Sequence, residues 1–273
     1  MTEKRIGVIG LGDMGLPMAR RLLQHGFTVV SCANRHREAI DALTKEGLVE
    51  KPDPRSVAAE VDILLSIVVD DKQTDTILRG PKGAFSALTP AAIVVIMSTL
   101  SPTYCQGLAA EATSRGITVI DCPVTGGNIG ATKGTLGLLV GGDNAALDRC
   151  REAFAPLGKI YHCGSIGMGQ IAKLANNAIG FTTAAVVDEA RVMARAYGMD
   201  LGTLMQVIHH GTGQSFIADK WDYVATEWSH WRPLGKKDVE LFVEMAKAMG
   251  LDPRVIETMF SQDWRIKSDD RAR

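Results

Sequence analysis

Short runs of consecutive apolar residues at positions 6–9, 28–32, 63–68, 93–97, 118–120 and 136–140 punctuate the first half of the chain. Between them lie stretches whose apolar residues recur every three or four positions. Such runs, rich in valine and isoleucine, predict strands buried on both faces, and the intervening pattern predicts the helices that cover them. The expected fold class is α/β, with an N-terminal doubly wound domain over residues 1–163 built on a parallel sheet. Beyond Gly169 the strand pattern stops. Residues 170–197 predict one helix about 40 Å long. Its apolar residues Ile171, Leu174, Ala178, Phe181, Ala185, Val186, Val192 and Met193 spread around most of the circumference, which predicts burial on several sides. Helices are expected to follow near 201–210, 237–249 and 254–260, with Gly198, Gly250 and Pro253 between them. They make residues 164–273 an all-α C-terminal domain, entered through the long helix, with a charged tail over 267–273 that is expected to fray.

Composition narrows the partners. The 273 residues carry 30 basic and 31 acidic side chains, so no net charge draws the chain to nucleic acid or to an anionic membrane. The five cysteines form no Cys-x-x-Cys pair, which predicts neither a disulfide framework nor a zinc site. No run reaches the roughly 18 apolar residues of a membrane span, and the N-terminus lacks a secretory apolar stretch. A cytoplasmic protein with a small-molecule partner and no metal is expected.

Gly10-Leu11-Gly12-Asp13-Met14-Gly15 follows the first expected strand and opens the first expected helix. Strand, glycine turn and helix form the setting in which this spacing binds a dinucleotide, as in Rossmann domains. Gly10 permits the turn, Gly12 lets a pyrophosphate approach the backbone, Gly15 allows the helix to pack closely, and the helix N-terminus favours the negative charge. Past the second expected strand, where a carboxylate would hold the ribose hydroxyls of NAD, the chain has Asn34-Arg35-His36-Arg37. Arg35 suits a 2′-phosphate, so NADP is expected over NAD.

Two further stretches carry chemistry. Asp121-Cys122-Pro123-Val124-Thr125-Gly126-Gly127 ends in a turn whose N–H groups no side chain obstructs, which suits a carboxylate. Lys173 and Asn177, four residues apart on the long helix, project from one face and offer a proton-transfer amine beside a neutral amide. Hydride transfer at a carbinol needs a group that takes and returns the hydroxyl proton. A lysine amine starts near about 10.4, so it acts as a base near neutrality only where its surroundings lower its proton affinity.

With these motifs in hand, the chain resembles the β-hydroxyacid dehydrogenases, the group that includes 3-hydroxyisobutyrate dehydrogenase and tartronate semialdehyde reductase. Residues 10–15, Ser98-Thr99-Leu100-Ser101-Pro102, 121–127 with 130–136, 167–177 and Lys237-Asp238 carry the resemblance in order along nearly the whole chain. It implies an NAD(P)-dependent enzyme that moves hydride between the cofactor and a small 3-hydroxy acid, or its semialdehyde or keto counterpart. Lys173 would be the catalytic lysine. Thr125, Gly126 and Gly127 would hold the substrate carboxylate, and Asn177 would contact the substrate too. Val68 and Val69 would lie beside the adenosine, Thr99 near the nicotinamide ribose, and Lys237 would reach the cofactor.

The chain departs from the family pattern at Cys122, where alanine is commoner, and at Thr125, where serine is commoner. The stretch between Ser215 and Lys237 is short for the family and rich in aromatics, with Trp221, Tyr223, Trp228 and Trp231. These are expected to pack a core or a subunit interface, and His209 and His210 to be helix-end residues without a visible carboxylate partner. The alternatives are an imine-reductase-like enzyme, against which Lys173 speaks, or a catalytically idle NADP-binding sensor or scaffold. The broadly apolar long helix predicts a homodimer or homotetramer.

Overall fold

In the computed structural model, residues 5–34 and 37–261 are described; Arg35, His36 and the charged tail lie outside them. The chain divides into two compact units, Met1–Lys173 and Leu174–Arg273. That division falls inside the long helix.

The first unit runs β1 (Arg5–Ile9), α1 (Gly15–Gln24), β2 (Thr28–Cys32), α2 (Glu38–Lys45), β3 (Val49–Lys51), α3 (Pro54–Ala58), β4 (Ile63–Ser66) and α4 (Asp71–Arg79). A 3-10 turn at Ala84–Ser86 leads to β5 (Ile93–Ile96), α5 (Pro102–Thr113), β6 (Thr118–Asp121), β7 (Val124–Thr125), α6 (Gly127–Lys133), β8 (Leu136–Gly141), α7 (Asn144–Phe154) and β9 (Gly158–Gly164). The sheet order is β3-β2-β1-β4-β5-β6-β8-β7, with β9 also paired to β8. From β3 to β6 every pairing is parallel.

Apolar side chains alternate between the two faces of this sheet. Ile6, Val8, Ile63, Leu65, Ile93 and Val95 face one cluster with Met18 and Leu22 of α1. Ile9, Leu64, Val94 and Ile96 face the other with Cys105, Leu108 and Ala112 of α5. Both faces are dry, which is why the strands read as continuous apolar runs rather than as alternating ones.

The parallel sheet expected from sequence is joined at one edge by antiparallel pairing, because β8 runs antiparallel to β6 and β7. Residues 126–135 contain only the seven-residue α6, too short a connection to cross the sheet and re-enter it in the same direction.

The second unit holds most of α8 (Met168–Ala196), then α9 (Leu201–His210), α10 (Phe216–Asp219), α11 (Trp221–Ala248) and α12 (Arg254–Ser261). The aromatic stretch is core. Trp228 packs with Ala184 and Val224, Trp221 with Val187 and Ala218, and the Trp228 ring lies 5.7 Å from that of Phe181.

Helix α11 begins at Trp221 and passes through Pro233, whereas sequence placed its start after the Pro-Leu-Gly run. Gly235 explains the continuity, since a Cβ there would meet the Phe181 ring at 2.2 Å; α8 and α11 approach where the small residue sits, and packing outweighs the local cost of proline. Leu174, Ala178, Ala184 and Ala185 are buried, but Ile179, Val186 and Met193 are 68 %, 55 % and 61 % exposed, so one chain buries α8 on part of its circumference only. Among the described residues no helix is long and apolar enough to cross a membrane.

Candidate active site

The glycine loop after β1 is built by two close contacts and one open position. Gly10 turns the chain at φ +104°, and a Cβ there would stand 2.1 Å from the Ile67 carbonyl oxygen. A Cβ on Gly15 would stand 1.8 Å from the Gly10 carbonyl oxygen, whereas Gly12 has no heavy atom within 4 Å of its would-be Cβ. Gly10 and Gly15 are thus demanded by the protein's own packing, and Gly12 leaves bare backbone beside open space. The first turn of α1 has no side-chain cap and no acidic residue, so its positive end is left for an anion. These residues fit a dinucleotide pyrophosphate.

Beyond β2, Asn34 is exposed. The Arg37 guanidinium is held by Glu50, at 3.0 Å through each of two N–H groups, and by Asp41 at 2.9 Å. Burial, with the nearby Asp53 and Glu50 carboxylates, pushes the Cys32 thiol up to about 11. Arg35, the residue expected to read a 2′-phosphate, is outside the described residues.

The loops after β4 and β5 are tied together. Val68 N–H donates to Ser98 Oγ at 2.9 Å, while Val69 is exposed and Thr99 half-buried. On the same edge, Gly126 at φ +114° and Gly127 at φ +60° form two consecutive left-handed residues, a turn open chiefly to glycine. Thr125 is seated by Gly137, where a Cβ would press to 2.7 Å from the threonine methyl. Asn128 Nδ2 donates to the Asp13 carbonyl at 2.6 Å, fastening this turn to the glycine loop.

Asp121, the last residue of β6, is fully buried. Its Oδ1 accepts from Gly167 N–H at 2.6 Å and its Oδ2 from Gln170 N–H at 2.8 Å, at the start of α8. Gly141 and Gly169 make room for it, since Cβ atoms there would meet its oxygens at 2.4 and 2.7 Å. Burial raises its carboxyl to about 6 against these N–H bonds, which pull the other way. Gln170, also fully buried, accepts from Leu100 N–H at 3.0 Å through Oε1 and donates to the Ser98 carbonyl at 2.9 Å through Nε2.

Lys173 follows one turn later on α8 and is half-buried. In the second unit Asn177 Nδ2 donates to Asp238 Oδ2 at 2.7 Å, and Lys237 Nζ lies 3.3 Å from Asp238 Oδ1. The buried Asp238 therefore gathers two of the residues singled out from sequence.

Residues 5–169 match the family described as the NAD binding domain of 6-phosphogluconate dehydrogenase, and residues 167–264 match the NAD-binding family of NADP-dependent 3-hydroxyisobutyrate dehydrogenase. The chain is 33 % identical to an uncharacterized oxidoreductase of Mycobacterium tuberculosis, over 91 % of this chain and 88 % of that one. It is 31 % identical to the NAD-dependent L-serine dehydrogenase of Pseudomonas aeruginosa, over 79 % and 72 %. Among solved structures, the Mycobacterium tuberculosis 3-hydroxyisobutyrate dehydrogenase with L-serine superposes at a TM-score of 0.82 with 27 % identity, covering 95 % of this chain and 92 % of that one.

The chain belongs to the β-hydroxyacid dehydrogenase family.

This β-hydroxyacid dehydrogenase is a nicotinamide-dependent oxidoreductase, and its 10–15 turn lies within the stretch that matches the NAD binding domain. Its likeness to imine reductases, at 20 % identity, is one of fold alone. Among the described residues no group of three or more His, Cys, Asp and Glu could hold a metal ion. Cys122 is buried packing.

Sequence reasoning assigned no role to Asp121 as an anchor, to Gln170 or to Asp238. Their signal was weak: polar residues within or beside recognised motifs, whose partners are 46 to 72 residues away. His209 does have a carboxylate partner, contrary to expectation, with Nδ1 2.7 Å from Asp219 Oδ1. The hydrogen bond from His209 holds the Asp219 carboxyl below its usual range, and this exposed pair ties α9 to α10.

Proposed function

We propose that this dehydrogenase interconverts a small 3-hydroxy acid and its semialdehyde or keto counterpart, with NADP preferred and Lys173 as the proton-transfer group. The observation that carries the reading is the buried Asp121–Gln170 junction. It joins the strand leading to Thr125, the loop carrying Thr99 and the first turn of α8, one turn before Lys173.

The bound nicotinamide supplies the hydride acceptor or donor. The chain's own residues do the rest. The Thr125 hydroxyl and the Gly126 and Gly127 N–H groups hold the carboxylate, and orient the carbinol carbon. The Lys173 amine takes the hydroxyl proton on oxidation; as an ammonium it returns a proton to the forming alkoxide on reduction. A positioned acid–base group contributes about 10²–10⁴-fold. By resemblance, Asn177 also contacts the substrate, Val68 and Val69 flank the adenosine, and Lys237 reaches the cofactor. L-Serine and 3-hydroxyisobutyrate, for which relatives are named, both carry a hydroxyl β to a carboxylate, the class this arrangement suits.

NADP preference rests on sequence, with Asn34 and Arg35 where an NAD enzyme would present a carboxylate. The test is absorbance at the reduced-cofactor band with NADP and NAD across a panel of small 3-hydroxy acids and semialdehydes. Turnover of at least one 3-hydroxy acid is expected. Cofactor binding without turnover across the panel would instead support a sensor, and turnover of cyclic imines alone would support an imine reductase.

A further inference from the structure

Gln170 is a neutral side chain with no exposure to solvent, and both ends of its amide are hydrogen-bonded to one short loop, with the Cys105 thiol of α5 also within hydrogen-bonding reach. Oε1 accepts from Leu100 N–H and Nε2 donates to the Ser98 carbonyl, the two groups that flank Thr99. That is a two-point clamp, so the peptide groups on either side of Thr99 keep their orientation relative to the first turn of α8. The clamp extends in two directions. Ser98 Oγ accepts from Val68 N–H, and the Gln170 N–H donates to Asp121 Oδ2, four residues before Thr125.

We infer that Gln170 is a positioning residue: its amide sets the loop that carries Thr99 at a fixed distance from the turn of α8 that carries Lys173. This rests on the roles given above to Thr99 and Lys173. The side chain must be glutamine in chemistry and reach. A donor and an acceptor are needed side by side, the group must be neutral to be buried among backbone dipoles, and asparagine is one methylene too short. Displacement of reacting groups by about 1 Å costs on the order of 10²-fold in rate. The clamp therefore acts on the chemical step, through the alignment of the nicotinamide ribose beside Thr99 with the Lys173 amine.

The test uses the full-length enzyme with a turned-over 3-hydroxy acid, comparing Gln170→Leu, Gln170→Glu and Lys173→Ala. In Gln170→Leu, kcat is expected to fall about 10–100-fold, a larger factor than any rise in the cofactor Kd. The isotope effect with the 3-hydroxy acid deuterated at its carbinol carbon should rise as hydride transfer becomes rate-limiting. Gln170→Glu keeps the shape and carries the test if the leucine variant does not fold. Its carboxylate still accepts from Leu100 N–H but faces the Ser98 carbonyl, and only the protonated form donates there.

The activity of Gln170→Glu, relative to wild type at the same pH and per folded molecule, should therefore recover as pH falls. The charged or titratable groups facing this site are the Asp121 carboxylate of β6 and the Cys105 thiol of α5, and both are present in the wild-type reference. A Gln170→Glu profile parallel to wild type, or an unchanged kcat and isotope effect in Gln170→Leu, overturns the inference. Wild-type turnover in Lys173→Ala would instead overturn the reading of the site on which it rests.

Discussion

Replacing Gly12 and Gly15 by alanine, one at a time, adds the same methyl group at two places three residues apart with opposite expected consequences. At Gly15 the new carbon would stand 1.8 Å from the Gly10 carbonyl oxygen and 2.9 Å from Ile67 Cγ2. The β1–α1 turn must open to admit it. Overpacking of a site with no soft neighbour costs about 3 kcal/mol, or about 6–12 °C of melting temperature in a domain of this size. At Gly12 the methyl meets no protein atom within 4 Å, and the backbone is not left-handed. Stability should hold or rise by about 0.4–1 kcal/mol. The same methyl occupies the space through which a pyrophosphate would reach the loop, so cofactor affinity should fall about 10–100-fold, about 1.4–2.8 kcal/mol. Thermal unfolding of the apoprotein and fluorescence titration with NADPH separate the two effects. Wild-type affinity in Gly12→Ala would refute the placement of the pyrophosphate, and wild-type stability in Gly15→Ala would refute the packing argument.

Arg35→Ala should weaken NADP far more than NAD in parallel titrations; equal losses would remove Arg35 as the reader of the 2′-phosphate. Asp121 titrates at about 6 in the folded protein against about 3.9 in an unfolded chain, so the folded state holds an extra proton between those values. Its stabilising contribution is complete below pH 4 and disappears as pH rises through 6, a change of about 3 kcal/mol. The stability difference between wild type and Asp121→Asn in urea should shrink by that order from pH 4 to 7, and a constant difference would contradict it. Ile179, Val186 and Met193, seven residues apart on α8 and more than half exposed, are expected to pack against a second copy of the chain. Light scattering should find a dimer or tetramer that Val186→Asp dissociates, and a monomeric wild type would contradict this.

Most of the first unit was legible because its strands carry buried apolar side chains on both faces, and the glycine loop adds a fixed spacing between a strand and a helix. Three strands were not. Val49–Lys51 and Val124–Thr125 are too short for periodicity to register, and Gly158–Gly164 begins and ends in glycine with exposed residues between. The start of α11 was hidden by Pro233, whose local preference is overridden by the Phe181 ring against Gly235. The apolar stripes of α8 read as burial on several sides, and a sequence does not distinguish a side chain covered by its own chain from one left for another.

The candidate site divides in the same way. Thr125, Gly126, Gly127 and Lys173 lie in local patterns whose chemistry is legible residue by residue. Asp121 and Gln170 act through partners remote in sequence, in the loop after β5, at the end of β6 and at the start of α8. A lone aspartate ending a strand, or a glutamine opening a helix, carries no local sign of burial.

The most direct test of the account is the turnover of Lys173→Ala with cofactor and substrate both saturating, alongside its cofactor Kd. The account predicts a Kd within about threefold of wild type and a kcat lower by about 10²–10⁴-fold. A variant that binds cofactor normally and turns over at near the wild-type rate would contradict it.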